Sequence, residues 1–513
     1  MTQSGVPARI GGAGAEPRAA GRGAGREVVR ARAAVWSVLA GPGTPVVDLA
    51  RSTRRAAVAD RRRGIGGRVV LLDGRPGARV RLQAAARRLD LVIEHEYVVL
   101  PTPGAPALVC DDSPAAVRWL QDAVLAVPPG VTTLAPACDV ALAVARHALP
   151  ARWLAALVPG RAAVARAATP ADGGSLGREP ESPPAAVRPP APASVVVLAT
   201  SRDVNAKISV LVIPGPGPDP ARVLKIPTTD VAERAVAAER AALADVHATG
   251  ADVVTRTVPR VLGTPVVTGR VALETTALPG VALQTRYHRW RRSGRPAAVR
   301  RDLAAAFGWL AALQEQTAGP AVSVRLLADG LDLILGRWPG DPVAVAVHDR
   351  LVPIAAGLAA YRVPGCVVHG DFWAGNVLIR RGRVTGVVDW ECAQPHGDPT
   401  RDVARLPLSY ALYLDRHTRP GRRVAGHPGL VAGPWGAGAE HLLDGTGWFP
   451  ALAVSHVTAA VTRLGLPAAA TRAVLLGGLA DIAARADHPD FARGHLVLLH
   501  RVLERGGPGR WAG

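Results

Sequence analysis

The sequence predicts an α+β protein: a strand-rich segment with one helix, then a mostly helical half, with a smaller α/β unit ahead of both. Three observations carry this. Residues 167–193, AATPADGGSLGREPESPPAAVRPPAPA, are rich in Pro, Gly and Ala and lack periodicity, as an interdomain linker does. Beyond them, SVVVLAT (194–200), AKISVLVI (206–213) and RVLKIP (222–227) read as successive strands. From about residue 297 helical spacing dominates, broken by strand-like runs inside VVHGDFWAGNVLIRRGRVTGVVDWE (367–391). The expected organisation is a disordered basic arm over 1–30, an α/β domain of unknown role over 31–166, the linker, and a bilobal domain over 194–513.

In the smaller unit, strands are expected over 67–73, 91–100 and 106–110, and helices over 78–89, 114–126, 139–148 and 151–158. The order is similar to the later half of a methyltransferase-type sheet without its cofactor-binding start. GIGG at 64–67 precedes a strand, whereas a dinucleotide loop follows one. No catalysis is assigned to this unit; a structural or partner-binding role is the default. In the larger unit, a helix is expected from Asp230 to Val246, then a hairpin from TPVVTG and VALETT.

The net charge is +20, split evenly at +10 for residues 1–190 and +10 for 191–513. A nucleic-acid module would concentrate base on one face, so nucleic acid is not the expected partner. Cys110, Cys138, Cys366 and Cys392 show no metal-ligand spacing and read as buried free thiols of a reducing compartment. No apolar leader opens the chain, and no uninterrupted apolar run reaches membrane-spanning length. A cytoplasmic location is expected.

Scarcity is the sharper clue. The 61 basic residues include only two lysines, Lys207 and Lys225, and the chain has only two asparagines, Asn205 and Asn376. Where Arg serves for any generic cation, a retained Lys marks a position that needs its particular chemistry.

Lys225 lies in an alternating strand. On the following helix, Asp230 and Glu233 are spaced as an N-cap and its reciprocal partner. Glu239 has Ala235, Val236, Ala242 and Leu243 as helical neighbours, so it faces inward and needs a partner, for which Lys225 is the candidate. A Glu-held Lys suits nucleotide phosphates; a purely structural ion pair is the alternative. In the 367–391 stretch, Asp371 and Asn376 sit on a loop before one strand, and the turn RRGR returns the chain so that Asp389 lies beside Asn376. A carboxylate with an amide oxygen suits Mg²⁺, and Asp371 is placed to receive a proton from an attacking hydroxyl.

HGDFWAGN followed by VVDWE resembles the signature of the aminoglycoside phosphotransferase and choline-kinase-like family, which shares the protein-kinase fold. VAAERAAL resembles its Glu-bearing helix, ALPGVAL (277–283) the segment joining its lobes, and GDPTRDVARL (397–406) the segment after the metal Asp. The resemblance covers roughly residues 194–513. It implies Asp371 as catalytic base or hydroxyl-positioning acid, Asn376 and Asp389 as Mg²⁺ ligands, Lys225 as phosphate anchor held by Glu239, and a nucleotide-contacting strand around Glu274. His369 would pin the catalytic loop, Asp398 cap a helix, Asp402 serve as a buried structural acid and Glu391 support the metal ligand, with Trp373 and Trp390 as packing. One departure is the turn TSRDVN where a glycine-rich loop belongs, leaving backbone amides and Ser201 to cover the phosphates and the choice between ATP and GTP open.

The expected function is transfer of the γ-phosphoryl group of ATP to a hydroxyl of a small molecule such as a sugar, a glycan precursor or an aminoglycoside-like acceptor. The alternatives are a nucleotide-binding scaffold without turnover, or a kinase regulating a partner- or nucleic-acid-binding N-terminal unit. The basic stretch YLDRHTRPGRRVAGHPG (413–429) favours a neutral or anionic acceptor.

Overall fold

Ten of the strand-forming runs up to residue 276 pair into one sheet, while Val266–Val267 and Arg270–Val271 form a small hairpin of their own. A computed structural model gives the structure, which describes residues 34–49, 68–74, 77–102, 105–123, 160–167, 193–199, 205–287, 293–416 and 418–505. The expected arm and the helices expected over 139–148 and 151–158 lie outside them. So does the linker, except that Ala167 ends one strand and Ala193 begins the next.

The strands are β1 (Val46–Asp48), β2 (Arg68–Asp73), β3 (Leu91–Thr102), β4 (Ala105–Asp111), β5 (Arg161–Ala167), β6 (Ala193–Leu198), β7 (Lys207–Pro214), β8 (Arg222–Pro227), β9 (Val261–Gly263) and β10 (Leu273–Thr276). Their order is β1-β2-β5-β3-β4-β6-β7-β8-β10-β9. All pairs are antiparallel except β1 with β2, so the strand–helix alternation does not produce the parallel sheet that an α/β unit usually holds. β5 was not expected. Its sequence RAAVARA has little strand propensity, but Ala162, Ala163 and Ala165 are fully buried between β2 and β3.

The join between β4 and β6 needs few residues. Leu108, Val109 and Cys110 pair with Leu198, Val197 and Val196, and the next amide, Val195 N–H, donates to Asp111 Oδ2 at 2.6 Å. Apolar clusters on both faces cross this join. On one face Val99 and Val109 pack with Val197, Val210 and Ile226. On the other, Ala116 and Leu120 of α2 (Pro114–Ala123, after α1 at Ala78–Arg88) pack with Val196, Leu211 and Ile213.

Helix α3 (Asp230–Ala248) follows β8. Its cap is Thr229, whose side chain accepts from Ala232 N–H at 3.0 Å, one residue earlier than expected. Glu233 serves elsewhere, accepting from Arg270 at 2.7 Å and Val271 N–H at 3.2 Å on the following hairpin.

The rest is mostly helical: α4 (Pro296–Gln316), α5 (Leu326–Arg337), α6 (Pro342–Ala359), α7 (Thr400–Arg416), α8 (Ala437–Asp444), α9 (Trp448–Arg463), α10 (Ala470–Arg485) and α11 (Pro489–Arg505). α10 is buried along most of its length. Among the described residues α6 alone has the length and apolarity of a membrane span, yet it carries Asp349 and Arg350 mid-helix and sends Val347, Leu351 and Ala355 into the core. Short strands lie among these helices, including β11 (Cys366–Val368), β12 (Val377–Arg380), β13 (Arg383–Val387) and β14 (Gln394–Gly397).

Candidate active site

The hairpin β12–β13 turns through Arg381 and Gly382, both left-handed at φ 52° and 79°, as a two-residue turn demands. Val377 pairs with Val387, and Val388 N–H donates to Asn376 O at 3.0 Å, so Asp389 returns beside Asn376 as expected.

The loop carrying Asp371 is fixed from behind. Asp402 at the start of α7 accepts His369 N–H at 2.7 Å on Oδ2 and Gly370 N–H at 2.9 Å on Oδ1. The His369 ring is fully buried; its Nδ1 accepts Asp371 N–H at 3.2 Å, so Nε2 carries the proton and donates to Val388 O at 2.9 Å. One imidazole thereby ties the Asp371 loop to the strand end carrying Asp389. Gly370 is left-handed at φ 79°, and a Cβ there would overlap the Cys392 carbonyl oxygen. Asp398 ties down two helix starts, accepting Leu326 N–H at 3.0 Å and Thr400 N–H at 3.0 Å. Trp390 is fully buried and Trp373 nearly so, as packing residues are.

Asn376 Nδ2 donates to Asp371 O at 3.0 Å and to Asp371 Oδ2 at 3.2 Å, which leaves the amide oxygen outside that pair. Lys225 Nζ donates to Glu239 Oε1 at 2.5 Å and also to Asp389 Oδ1. The residues inferred from scarcity meet here. Lys207 pairs with Glu391 Oε2, while Asn205 Nδ2 donates to Glu391 Oε1 at 3.0 Å. Both lysines and both asparagines of the chain thus pair with four acids: Asp371, Glu239, Asp389 and Glu391.

Burial alone would lower the Lys225 ammonium, but Asp389, Glu239 and Glu391 outweigh it and raise its pKa. Burial opposes ionisation of Asp389 too, yet Lys225 and Lys207 hold its carboxyl below the usual carboxylate range. Glu239 is pushed up by burial and by the neighbouring acids, against the pull of Lys225. Carboxylate oxygens of Glu239, Asp389 and Glu391 lie within 4.8 Å of one another, and the buried Glu239 Oε2 has no hydrogen-bond partner. Crowded acids with an unspent oxygen, beside a free amide oxygen, fit a hard divalent cation.

One expected residue does not join this cluster. Leu273 pairs with Lys225 and Glu274 with Leu224, so Glu274 faces the opposite side of the sheet, where Arg222 donates to it at 2.9 Å. Ser201 lies outside the described residues. Cys110 and Cys366 are buried free thiols, Cys392 is only partly buried, and Cys138 lies outside the described residues.

One partner of Asp371 was not anticipated. Arg405 on α7 donates to Asp371 Oδ1 through Nη2 at 2.7 Å and Nε at 3.2 Å, and both residues are buried.

Residues 210–434 match the model of the phosphotransferase enzyme family. The match takes in less than half of the chain. It spans the site from β7 to the end of the basic stretch after α7 and leaves β1–β6 outside. No curated relative matches the chain. Similar solved structures include a thermostable mutant of aminoglycoside phosphotransferase APH(4)-Ia in ternary complex with ADP and hygromycin B, 16% identical over 59% of this chain and 91% of its own, TM-score 0.37. ADP-bound APH(2'')-Ib is 13% identical over 60% and 91%, TM-score 0.33. The streptomycin–ATP–APH(2'')-IIa ternary complex is 14% identical over 60% and 90%, TM-score 0.32.

Proposed function

We propose that this chain is a small-molecule kinase that transfers the γ-phosphoryl group of ATP to an alcohol. The observation that carries the reading is the convergence of Lys225, Glu239 and Asp389 beside the Asp371–Asn376 pair, within the family-matched segment. A bilobal kinase-like arrangement follows, with the strands around Lys225 on one side of the cleft and the helices around α7 on the other.

In this reading Lys225, kept charged by Glu239, meets nucleotide phosphate, and Lys207 adds a second cation on the same sheet face. Asn376 Oδ1 and Asp389 would hold Mg²⁺, with Glu391 beside them, and the bound ion would neutralise phosphate charge. Asp371 orients the acceptor hydroxyl. As the acceptor oxygen bonds to the γ-phosphorus, the bond to the bridging oxygen breaks, its electron pair leaves with ADP, and the hydroxyl proton passes to Asp371.

The test is ATP turnover over a panel of hydroxylated metabolites, wild type against Asp371→Ala. Acceptor-stimulated ADP release lost in Asp371→Ala supports the reading. Undiminished Mg·ATP binding with no stimulation by any acceptor favours a nucleotide-binding scaffold.

A further inference from the structure

The acid expected to face the acceptor is already paired. Asp371 Oδ1 takes two N–H groups from Arg405, and Oδ2 takes Asn376 Nδ2. The metal-side residues therefore engage Oδ2, while Arg405 approaches the other oxygen, from a helix rather than from the sheet. Arg405 is 3% exposed, and its Nη1 is buried with no hydrogen-bond partner. A buried guanidinium nitrogen is seldom left unspent, since each N–H without an acceptor loses its hydration for nothing.

The surroundings repeat this pattern. The short helix Leu283–Tyr287 meets the catalytic loop, with Gln284 N–H donating to Ala374 O at 2.8 Å. Its Arg286 pairs with the buried Asp302 at 2.8 Å and keeps Nε unpartnered. Further along α7, Tyr410 OH donates to Ser293 O at 2.8 Å, and His427 contacts the same carbonyl at 2.9 Å. That contact docks the loop bearing exposed Arg419, Arg422 and Arg423 just beyond the short helix. Asp371 and Asp302 are thus each held by an Arg that keeps one buried N–H without an acceptor.

We propose that Arg405 determines acceptor specificity: it holds Asp371 through Nε and Nη2 and receives an anionic oxygen of the acceptor on Nη1. The acceptor is then a small hydroxylated molecule that itself carries a phosphate or carboxylate group. This rests on the phosphotransferase reading and narrows its substrate class. A guanidinium can serve two oxygens at once because its N–H groups fork in fixed directions; a lysine at this position could hold one or the other.

The test measures ADP release with matched acceptors: neutral sugars, amino sugars, sugar phosphates and sugar acids. Wild type, Arg405→Lys and Arg405→Gln are compared, with Mg·ATP binding by calorimetry as the check on folding. Expected is stimulation of wild type by the phosphates or acids. Arg405→Lys, the milder change, raises their KM by about ten-fold or more while the Kd for Mg·ATP stays within about two-fold. Stimulation by neutral or amino sugars, equal in wild type and Arg405→Lys, overturns the proposal and leaves the kinase reading intact. An equal fall in kcat for every acceptor, with KM unchanged, also overturns it and assigns Nη1 to the transferred phosphoryl group.

Discussion

Both carboxylate oxygens of Asp402 are committed to the adjacent amides of His369 and Gly370, so the start of α7 sets the loop from which Asp371 projects. In Asp402→Asn one of those amides faces an NH₂ group instead of an oxygen. The expected loss is about 1–3 kcal/mol of stability in urea unfolding, because a buried N–H is left unsatisfied. Turnover should fall about ten-fold through a misplaced Asp371. Unchanged stability would show that the two hydrogen bonds carry little weight.

Gly370→Ala tests the loop from its other side. The left-handed φ and the Cys392 carbonyl both exclude a side chain, so the backbone must shift. A loss of about 1–3 kcal/mol is expected, with activity lost before folding. Thermal unfolding and ADP release on the same sample separate the two.

Lys225→Met leaves Glu239 and Asp389 facing each other without their shared cation. Mg·ATP binding should be lost and stability should fall by about 3 kcal/mol. Adding Glu239→Gln to Lys225→Met should return part of the stability but none of the binding. Recovery of binding in the double variant would remove Lys225 from the phosphate site.

How much of this site could be read from the sequence depended on how local each contact is. Asp371, Asn376 and Asp389 come together through one tight hairpin, and a two-residue turn can be recognised from its residues. Glu239 was legible because helical periodicity placed it on an apolar face. Glu274 was not: its facing depends on the register between β8 and β10, which has no local signature. The α3 cap slipped by one residue because Thr229 and Asp230 are both good caps. Arg405 was invisible for a compositional reason. In a chain whose 61 basic residues include only two lysines, one more Arg carries no signal, whereas the rarity of Lys207 and Asn205 could have been pressed as far as that of Lys225 and Asn376. In the fold, β5 was hidden by its Ala- and Arg-rich sequence, and the β4–β6 pairing by the long segment between those strands.

Asp111 makes the β4–β6 join sensitive to pH. Burial and the adjacent Asp112 push its carboxyl up to about 6, against the pull of the Val195 N–H. A raised folded-state pKa means that its contribution to stability is full below about 4, its unfolded value, and is lost as pH rises through 6. Asp111→Asn keeps an oxygen for Val195 N–H but cannot ionise. Relative to wild type it should therefore gain stability as pH rises from about 4 to 7, by at most about 3 kcal/mol, and then level off. A difference in melting temperature that stays flat from about pH 5 to 8 would exclude Asp111 as the titrating group.

The continuous sheet also governs the order in which the chain can fold. β6 cannot complete its pairing on the β4 side until Leu108–Cys110, more than eighty residues earlier, are in place, and β5 must insert between β2 and β3 from a comparable distance. Such non-local closures are slow, and an unpaired β6 would present a bare apolar edge to other chains while they form. The strands that carry Lys207 and Lys225 thus depend, for protection from aggregation, on a part of the protein that contributes no residue to the phosphate cluster.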